Sequence, residues 1–505
     1  MNFQQLLHGA EILAQSGNPP ISGLEYDSRR IKPGDAFVAM HGESSDGNKF
    51  IDRAIAAGAT AIVTDDANQS PRPAVAWAQV PHGRRALARL SANFYKQPAE
   101  KLAVTGVTGT NGKSTTTFVI ESILQSAGRR SVLVGTIEYH VAGKVLPAPH
   151  TTPEALELNQ MLAEALGNGA TEAVMEVSSH ALAQQRVYAV PFDVAVFTNL
   201  TRDHLDYHHT MDEYFSSKQI LFEGCGTEPP RVAVLNVDDK YGQMLSRISK
   251  KHGSTVLTYG LSVGDYHAQK LDVGPRGSRF DLSTPEGSIP LFTPLIGRVN
   301  VYNVIAAAGA AHARGCDRGA IEAGVAALGR VPGRFERVDC QQPFTVVVDY
   351  AHTDDALRNL TAIAREFVQH AGLKGRVITV FGCGGDRDRT KRPLMGEAAG
   401  GGSDFVVLTS DNPRSEDRLA IINDAVVGLQ RSGARYKMEP DRQKAIALAI
   451  GEARPGDIVL IAGKGHEKVQ VTREGAVPFD DVEVARSVLR SGGYNCEAAQ
   501  AGSGR

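Results

Sequence analysis

The chain lacks the features that mark exported, membrane-spanning or nucleic-acid-binding proteins. No apolar run among its 505 residues is long enough to cross a bilayer. Residues 1–15 hold no basic stretch followed by an apolar core, so no signal peptide is expected. Lys plus Arg number 54 against 56 Asp plus Glu, and a formal net charge of −2 offers nothing to nucleic acid or an anionic membrane. Cysteine is scarce. Cys225, Cys316, Cys340, Cys383 and Cys496 are scattered, odd in number and without CxxC spacing. That pattern argues against a disulfide framework or a zinc site and fits a reducing cytosol. No repeat with a period of roughly 20–50 residues points to a solenoid. The expectation is a cytoplasmic monomer that neither enters a membrane nor binds nucleic acid.

What is present is an alternation of strand-like and helix-like segments, the pattern of an α/β protein with largely parallel sheets. At roughly 150 residues per domain the length suggests about three domains. We place them at 1–98, 99–332 and 333–493, with "KQPAEK" (96–101) as a linker, "LGRVPGRFERV" punctuating the second junction, and 494–505 as a disordered tail.

The strongest local signal is "AVTGVTGTNGKSTTTFVIESIL" (103–124), a β-run, a Gly-rich turn and then an amphipathic helix. Backbone N–H groups of Gly109, Thr110, Asn111 and Gly112, with the helix start, suit phosphate oxygens. Lys113 would reach the β- and γ-phosphates of ATP, and the hydroxyl of Ser114 or Thr115 would meet magnesium. Val107 stands where the strict phosphate-loop pattern has its first Gly. The alternative, a Gly-rich turn with a surface lysine, is weakened by the strand–turn–helix context. "MEVSSHALAQQR" (175–186) and "TNLTRDHLDYH" (198–208) each leave a strand's carboxyl end, where open α/β sheets bind ligands. They offer Glu176 and His204 to a hard cation that keeps part of its water shell. "DEYFSSKQILF" (212–222) reads as a helix carrying Lys218.

The G-T-N-G-K form resembles the Mur ligases and the folylpolyglutamate synthetases, and with the other two stretches the resemblance to Mur ligases covers nearly the whole chain. It implies three domains: a central phosphate-loop-type parallel-sheet ATPase, an α/β amino-terminal domain and a Rossmann-like carboxy-terminal domain. It implies that Ser114, Glu176 and His204 help hold magnesium and that Lys218 is carbamylated, to N6-carboxylysine, and completes the metal set. A carbamate forms only on a neutral amine, so the surroundings must depress the Lys218 pKa. Lys113, Glu176, His204 and Lys218 are then the catalytic residues.

The same resemblance assigns residues whose local chemistry has plainer explanations. "YDSRR…HGESSDG" (26–47) can be turns and caps, yet it resembles the uridine diphosphate pocket, with Tyr26, Ser28, Glu43, Ser44 and Ser45. "HTTPEALELNQML" (150–162) reads as a helix with a Thr N-cap and Pro153 at its first position. The resemblance adds that His150, Thr151 and Thr152 contact the muramoyl-dipeptide portion, with Ser178, Gln184 and Arg186. Asn300 and Asn303 on one helix face, Arg334 and Asp349 go to the adenosine end of ATP. Asp354 replaces a common Pro in "DYAHTDDAL".

The stretch "VVLTSDNPRSEDR" (406–418) ends an apolar strand on an acid, an amide, a proline and a guanidinium. Pro413 cannot continue a central strand. Asp411, Asn412 and Arg414 therefore gather charges of both signs at one strand's carboxyl end, which suits the ammonium and carboxylate at the far end of meso-diaminopimelate, where lysine has only an ammonium. The stretch matches the motif of the diaminopimelate-adding ligases, although Arg418 stands where a Pro is common, and Arg387, Gly463 and Glu467 would complete the pocket. The implied reaction is ATP-dependent ligation of meso-diaminopimelate to the D-Glu of UDP-MurNAc-L-Ala-D-Glu through an acyl phosphate. The alternatives are a lysine-adding ligase, a folylpolyglutamate synthetase, which should lack both "HGESSDG" and "DNPR", and an inactive nucleotide-binding regulator, which should have lost Lys113, Glu176, His204 or Lys218.

Overall fold

The computed structural model describes residues 1–42, 45–370 and 375–496. Glu43 and Ser44, both expected in the uridine diphosphate pocket, lie outside them. Three sheets follow one another along the chain. The first has five strands in the order Ala14–Ser16, Ala76–Gln79, Ala61–Thr64, Asp35–Ala39 and Gly23–Glu25, parallel except for the first pair. The second has eleven strands. Its middle is a parallel run ordered Thr255–Gly260, Val232–Asn236, Val194–Phe197, Ala103–Thr108, Glu172–Glu176 and Ser131–Val134. Tyr266–Gly274 joins one edge in parallel and continues it through two antiparallel strands, and two antiparallel strands extend the other edge. The third has six strands, with the antiparallel Glu336–Val338 at one edge and then Thr345–Asp349, Ile458–Ala462, Val377–Phe381, Phe405–Leu408 and Tyr436–Met438 in parallel.

The inner strands are buried on both faces, which is why they read as unbroken apolar runs. In the second sheet Val174 and Val196 enter one core cluster, while Ala173, Met175 and Ala195 enter the other. Lys113–Ser126, the helix after the phosphate loop, lies in the first cluster with Arg298–Ala313 and Arg318–Ala327. Gly324 sets that packing distance. A Cβ there would meet the Ile123 Cα at 2.4 Å, and the Ser122 hydroxyl donates to the Gly324 carbonyl at 2.7 Å.

Four expectations need correction. The helix expected from Thr152 and Pro153 starts at Ala155 with Glu154 as its N-cap residue. Thr152 is drawn off to the strand Glu172–Glu176 and Glu154 to Arg84 and Arg186. "KQPAEK" is no free linker: Pro98–Lys101 forms a 3₁₀ turn with Pro98 and Ala99 buried. Cys340 and Cys496, 156 residues apart, are joined by a disulfide, against the reading of the cysteines as unpaired. Spacing in sequence says nothing of two segments that meet only in the fold. The same bond corrects the tail, since residues 494–496 are placed and the Tyr494 ring packs edge-on to Phe344 at 5.8 Å. Residues 497–505 lie outside the described residues.

Gly324→Ala should overpack the interface beneath the phosphate-loop helix, at a cost of about 1–3 kcal/mol. The first thermal transition should fall by several degrees. An unchanged transition in calorimetry would mean the helices yield without cost.

Candidate active site

The phosphate loop runs between the strand Ala103–Thr108 and the helix Lys113–Ser126. Gly112 is the N-cap residue at φ +90°, and no side chain caps the helix start. A Cβ on Gly112 would strike the Asn303 Oδ1 at 2.4 Å, and one on Gly109 (φ +147°) the Thr198 Oγ1. An uncapped helix start facing a loop that admits no Cβ is a cradle for an anion. Lys113 Nζ is folded onto the loop and donates to the carbonyls of Gly109 at 3.0 Å and Thr110 at 2.8 Å. Arg334, from the third sheet's side, donates to Ser114 Oγ at 3.1 Å and stacks on the Tyr350 ring at 4.6 Å. Asn303 stands over Gly112, and Asn300 is tied to it by a 3.0 Å bond. Asp349 accepts from the N–H groups of Phe335 and Ala351, so both its oxygens shape the turn beside Arg334. Loop, cations and uncapped helix fit the phosphates of ATP. Thr115 is buried in the first turn.

Lys218 is fully buried in the site. Its side chain is 1% exposed, and Nζ donates to that same Gly109 carbonyl at 2.9 Å, 4.7 Å from the centre of the Tyr214 ring. Burial, and then the positive Lys113, hold its pKa well below the ordinary lysine value, against the pull of Asp203. Lys113 is lowered in the same direction, chiefly by burial. His204 sits in the left-handed region at φ +55°, a conformation that non-glycine residues adopt mainly where a site requires it. Desolvation, then His180, Lys113 and Lys218, lower the pKa of its imidazole against the pull of Asp203, toward the neutral form that a metal ligand needs. The Glu176 carboxylate is fixed by Thr136, whose N–H donates at 2.8 Å and hydroxyl at 2.9 Å. Among the described residues no three His, Cys, Asp or Glu side chains form a metal cage. One carboxylate, one imidazole and a serine hydroxyl fit a magnesium ion completed by phosphate oxygens and water.

The residues expected at the dipeptide portion come together beside Glu176. Thr152 donates to the Glu176 carbonyl at 2.8 Å and accepts from the Ser178 N–H at 3.1 Å. Arg186 donates to the Thr152 carbonyl at 2.9 Å, to Gln184 Oε1 and to Glu154. Thr151 shares a hydrogen bond with Thr136, and the His150 carbonyl accepts from Tyr139. In the first sheet's region Ser28 is buried, Ser45 is exposed, and the Tyr26 hydroxyl donates to Glu157 at 3.0 Å.

The acid, amide and guanidinium of residues 411–414 do gather past the end of Phe405–Leu408. Arg414 lies at φ +52°, with Nη1 donating to the Gly385 carbonyl at 2.7 Å. Burial and then Arg387 lower its pKa, against the pull of Asp411, Glu467 and Asp386. Arg387 is exposed nearby. Asp411 Oδ2 fills the space where a Cβ on Gly463 (φ +117°) would lie, at 2.5 Å. The Pro413 carbonyl occupies the corresponding space at Gly385 and accepts from the Glu416 N–H at 3.1 Å. The Asn412 amide donates to Glu467 Oε2 at 2.8 Å. Asp354 and Arg418, which replace common prolines, are the first residues of the helices Asp354–His370 and Arg418–Ser432, a position that favours Pro without requiring it.

Sequence reasoning missed Thr136, Asp203 and Lys391. Asp203 is buried among His204, His352 and Lys391, at 3.3, 3.8 and 3.7 Å. Burial alone would raise its carboxyl; those neighbours bring it below the usual range. With Asn111–Asp355 at 3.0 Å and Arg202–Asp388 at 3.4 Å, these contacts seat the third sheet's region against the phosphate loop. Asp203 adjoins His204 in the quoted motif; Thr136 and Lys391 carry no signal of their own.

Family models match the chain in three places: the Mur ligase middle domain over residues 107–311, the Mur ligase glutamate ligase domain over 333–465, and the Mur ligase family catalytic domain over 20–95. A UDP-N-acetylmuramoyl-L-alanyl-D-glutamate--2,6-diaminopimelate ligase of Solibacter usitatus (strain Ellin6076) is 52% identical over 505 residues, covering 98% of this chain and 99% of its own. The ligase of the same name from Geobacillus thermodenitrificans (strain NG80-2) is 44% identical, covering 94% and 96%. A solved structure of a ligase so named aligns with a TM-score of 0.68 at 35% identity, over 98% of this chain and 100% of that one. With nearly its whole length matched at such identity, the chain belongs to the Mur ligase family.

Proposed function

We propose that this protein joins the amine of meso-diaminopimelate to the D-Glu carboxylate of UDP-MurNAc-L-Ala-D-Glu at the expense of ATP. The observation that carries the reading is the gathering of Arg414, bonded to the Gly385 carbonyl, with Asp411 and the bonded pair Asn412–Glu467 at the third sheet's strand ends, in a region that Asn111–Asp355 ties to the phosphate loop. The names of the relatives support it, as does the match over residues 20–95, a region that a folylpolyglutamate synthetase should lack. Residues 1–98, 99–332 and 333–493 act as the nucleotide-sugar, ATP and amino-acid domains. We place the reaction in the cytoplasm, where ATP is available.

A free carboxylate is a poor electrophile. One of its oxygens attacks the γ-phosphorus of ATP, giving an acyl phosphate and ADP; the amine then attacks the acyl carbon, phosphate leaves and a proton is lost. Lys113 turns from the Gly109 and Thr110 carbonyls to the transferring phosphoryl group and offsets its growing charge. Magnesium, when bound, would supply positive charge to offset that of the phosphates. Glu176 and His204 present the carboxylate and neutral imidazole that would hold it, with Ser114 oriented by Arg334. The neutral Lys218 amine adds to carbon dioxide, forming an N–C bond and losing a proton, and its carbamate gives the site a further anion. Thr151, Thr152, Ser178, Gln184 and Arg186 hold the acceptor dipeptide.

Lys218→Ala should lower turnover about a thousandfold, the scale of losing one electrostatic stabiliser, and a short carboxylic acid such as acetate or formate should restore part of it. Full activity of the unrescued variant would remove Lys218 from the mechanism. Arg414 leaves a planar donor fork for the distal carboxylate. Wild type should therefore prefer meso-diaminopimelate over L-lysine by roughly a hundredfold or more in kcat/KM, and Arg414→Ala should erase most of that preference. Equal use of both amino acids by wild type, or no loss in Arg414→Ala, would show the cleft to be something else.

A further inference from the structure

Lys464, between the two expected pocket residues Gly463 and Glu467, has a side chain with no exposure at all, although lysine is among the residues least often buried. Its ammonium donates to Asn412 Oδ1 at 2.9 Å and to Glu467 Oε2 at 2.8 Å. Asn412 closes the triangle by donating from Nδ2 to the same Glu467 Oε2 at 2.8 Å. The second lone pair of Asn412 Oδ1 takes the Val471 N–H at 2.9 Å, from the hairpin strand Val469–Thr472. That strand is bound to the same loop twice more, through Arg414 N–H to the Val471 carbonyl at 3.0 Å and Gln470 to the Asp411 carbonyl at 2.5 Å. One buried charge thus ties together three segments: the loop of Asp411 to Arg414, the loop of Gly463 to Glu467, and the hairpin.

The hydrogen-bond inventory then decides which groups stay available. Asn412 has spent both carbonyl lone pairs and one of its two N–H donors. It fixes the loop and offers no acceptor to a ligand. Glu467 Oε2 is shared by two donors, whereas Oε1 makes no hydrogen bond among the described residues and the side chain is 29% exposed. A flexible carboxylate is thereby held by one oxygen, Oε2, and keeps the other for a ligand.

We propose that Lys464 is a positioning residue for amino-acid selection: held out of ligand contact, it orients Glu467 so that Oε1 receives the ammonium of the incoming amino acid, and it locks Asn412 so that Arg414 stands at a fixed distance for the carboxylate. This rests on the reading of the cleft as the diaminopimelate pocket. Hydrogen bonds to charged groups are the strong ones, and losing one moves affinity by roughly ten- to a hundredfold.

The test compares Lys464→Met, which keeps the length of the side chain but neither donor nor charge, with Lys464→Gln, which keeps a donor. Three KM values are read for each: meso-diaminopimelate, ATP and the UDP-linked dipeptide. Lys464→Met should raise KM for meso-diaminopimelate about tenfold or more, Lys464→Gln less, with the other two constants within about twofold. In a double-mutant cycle, Lys464→Met should add little to Glu467→Gln, because it acts through that carboxylate. An unchanged KM for meso-diaminopimelate in either folded variant, an equal rise for all three substrates, or full additivity with Glu467→Gln would overturn the proposal. The parent reading fails differently. If Arg414→Ala and Glu467→Gln leave the meso-diaminopimelate KM unmoved, the cleft itself is misassigned; if they raise it and the Lys464 variants do not, this inference alone falls.

Discussion

Two lysines point at one carbonyl. Lys113 and Lys218 donate to the Gly109 oxygen from 3.0 and 2.9 Å, in a site where burial lowers the pKa of both. Two ammonium groups this close and this dry repel one another, and one carbonyl cannot balance them. The chain answers with an anion for each. For Lys113 the triphosphate would be that anion, since its present hydrogen bonds are to the carbonyls of its own loop. Lys218 is walled in by Tyr214 and the strand end at Thr108, and burial with the nearby Lys113 favours its neutral amine, the form that the proposed carbamate requires. Catalytic readiness and the discomfort of the unliganded site share one cause.

The rest of the architecture brings a second binding surface to that carbonyl. Parallel strands end on the same edge in the second and third sheets, and the segments leaving those ends carry nearly all the polar side chains of the site. Asp203 joins the two, because it adjoins His204 on one side and meets His352 and Lys391 from the third sheet's region on the other. Arg334 reaches Ser114 across the same boundary. Since the proposed amino-acid site lies at the third sheet's strand ends, a change in these few polar contacts would change the distance between amine and acyl phosphate. Polar contacts of this kind rearrange more readily than an apolar core, which makes the boundary the natural place for motion during turnover.

Much of this was legible in the sequence where chemistry is local. Glycines next to Lys113 and Ser114 mean a phosphate loop because glycine alone fits φ +90° against Asn303, and the apolar run before Pro413 does end as a strand, at Leu408. The acid, amide and guanidinium were correctly placed at one strand's end, yet their use was not readable. Asn412 is consumed by Lys464 and Val471, and nothing in "GKGHE" says that its lysine is buried while its glutamate is not. Thr152 and Pro153 look like a helix start, but tertiary bonds to Glu176 and Arg186 outcompete the cap. The bond between Cys340 and Cys496 depends on where two distant segments pack, which no spacing rule encodes. Pattern reports what a residue type can do; burial and partners decide what it does.

The carbamate proposed on the buried amine of Lys218 can be observed directly. Enzyme equilibrated with ¹³C-bicarbonate and examined by ¹³C NMR should give a carbamate carbon signal that is absent from Lys218→Arg, whose guanidinium cannot form one. The signal should rise with bicarbonate together with activity. A fully active wild-type enzyme that shows no such signal at saturating bicarbonate would contradict the account.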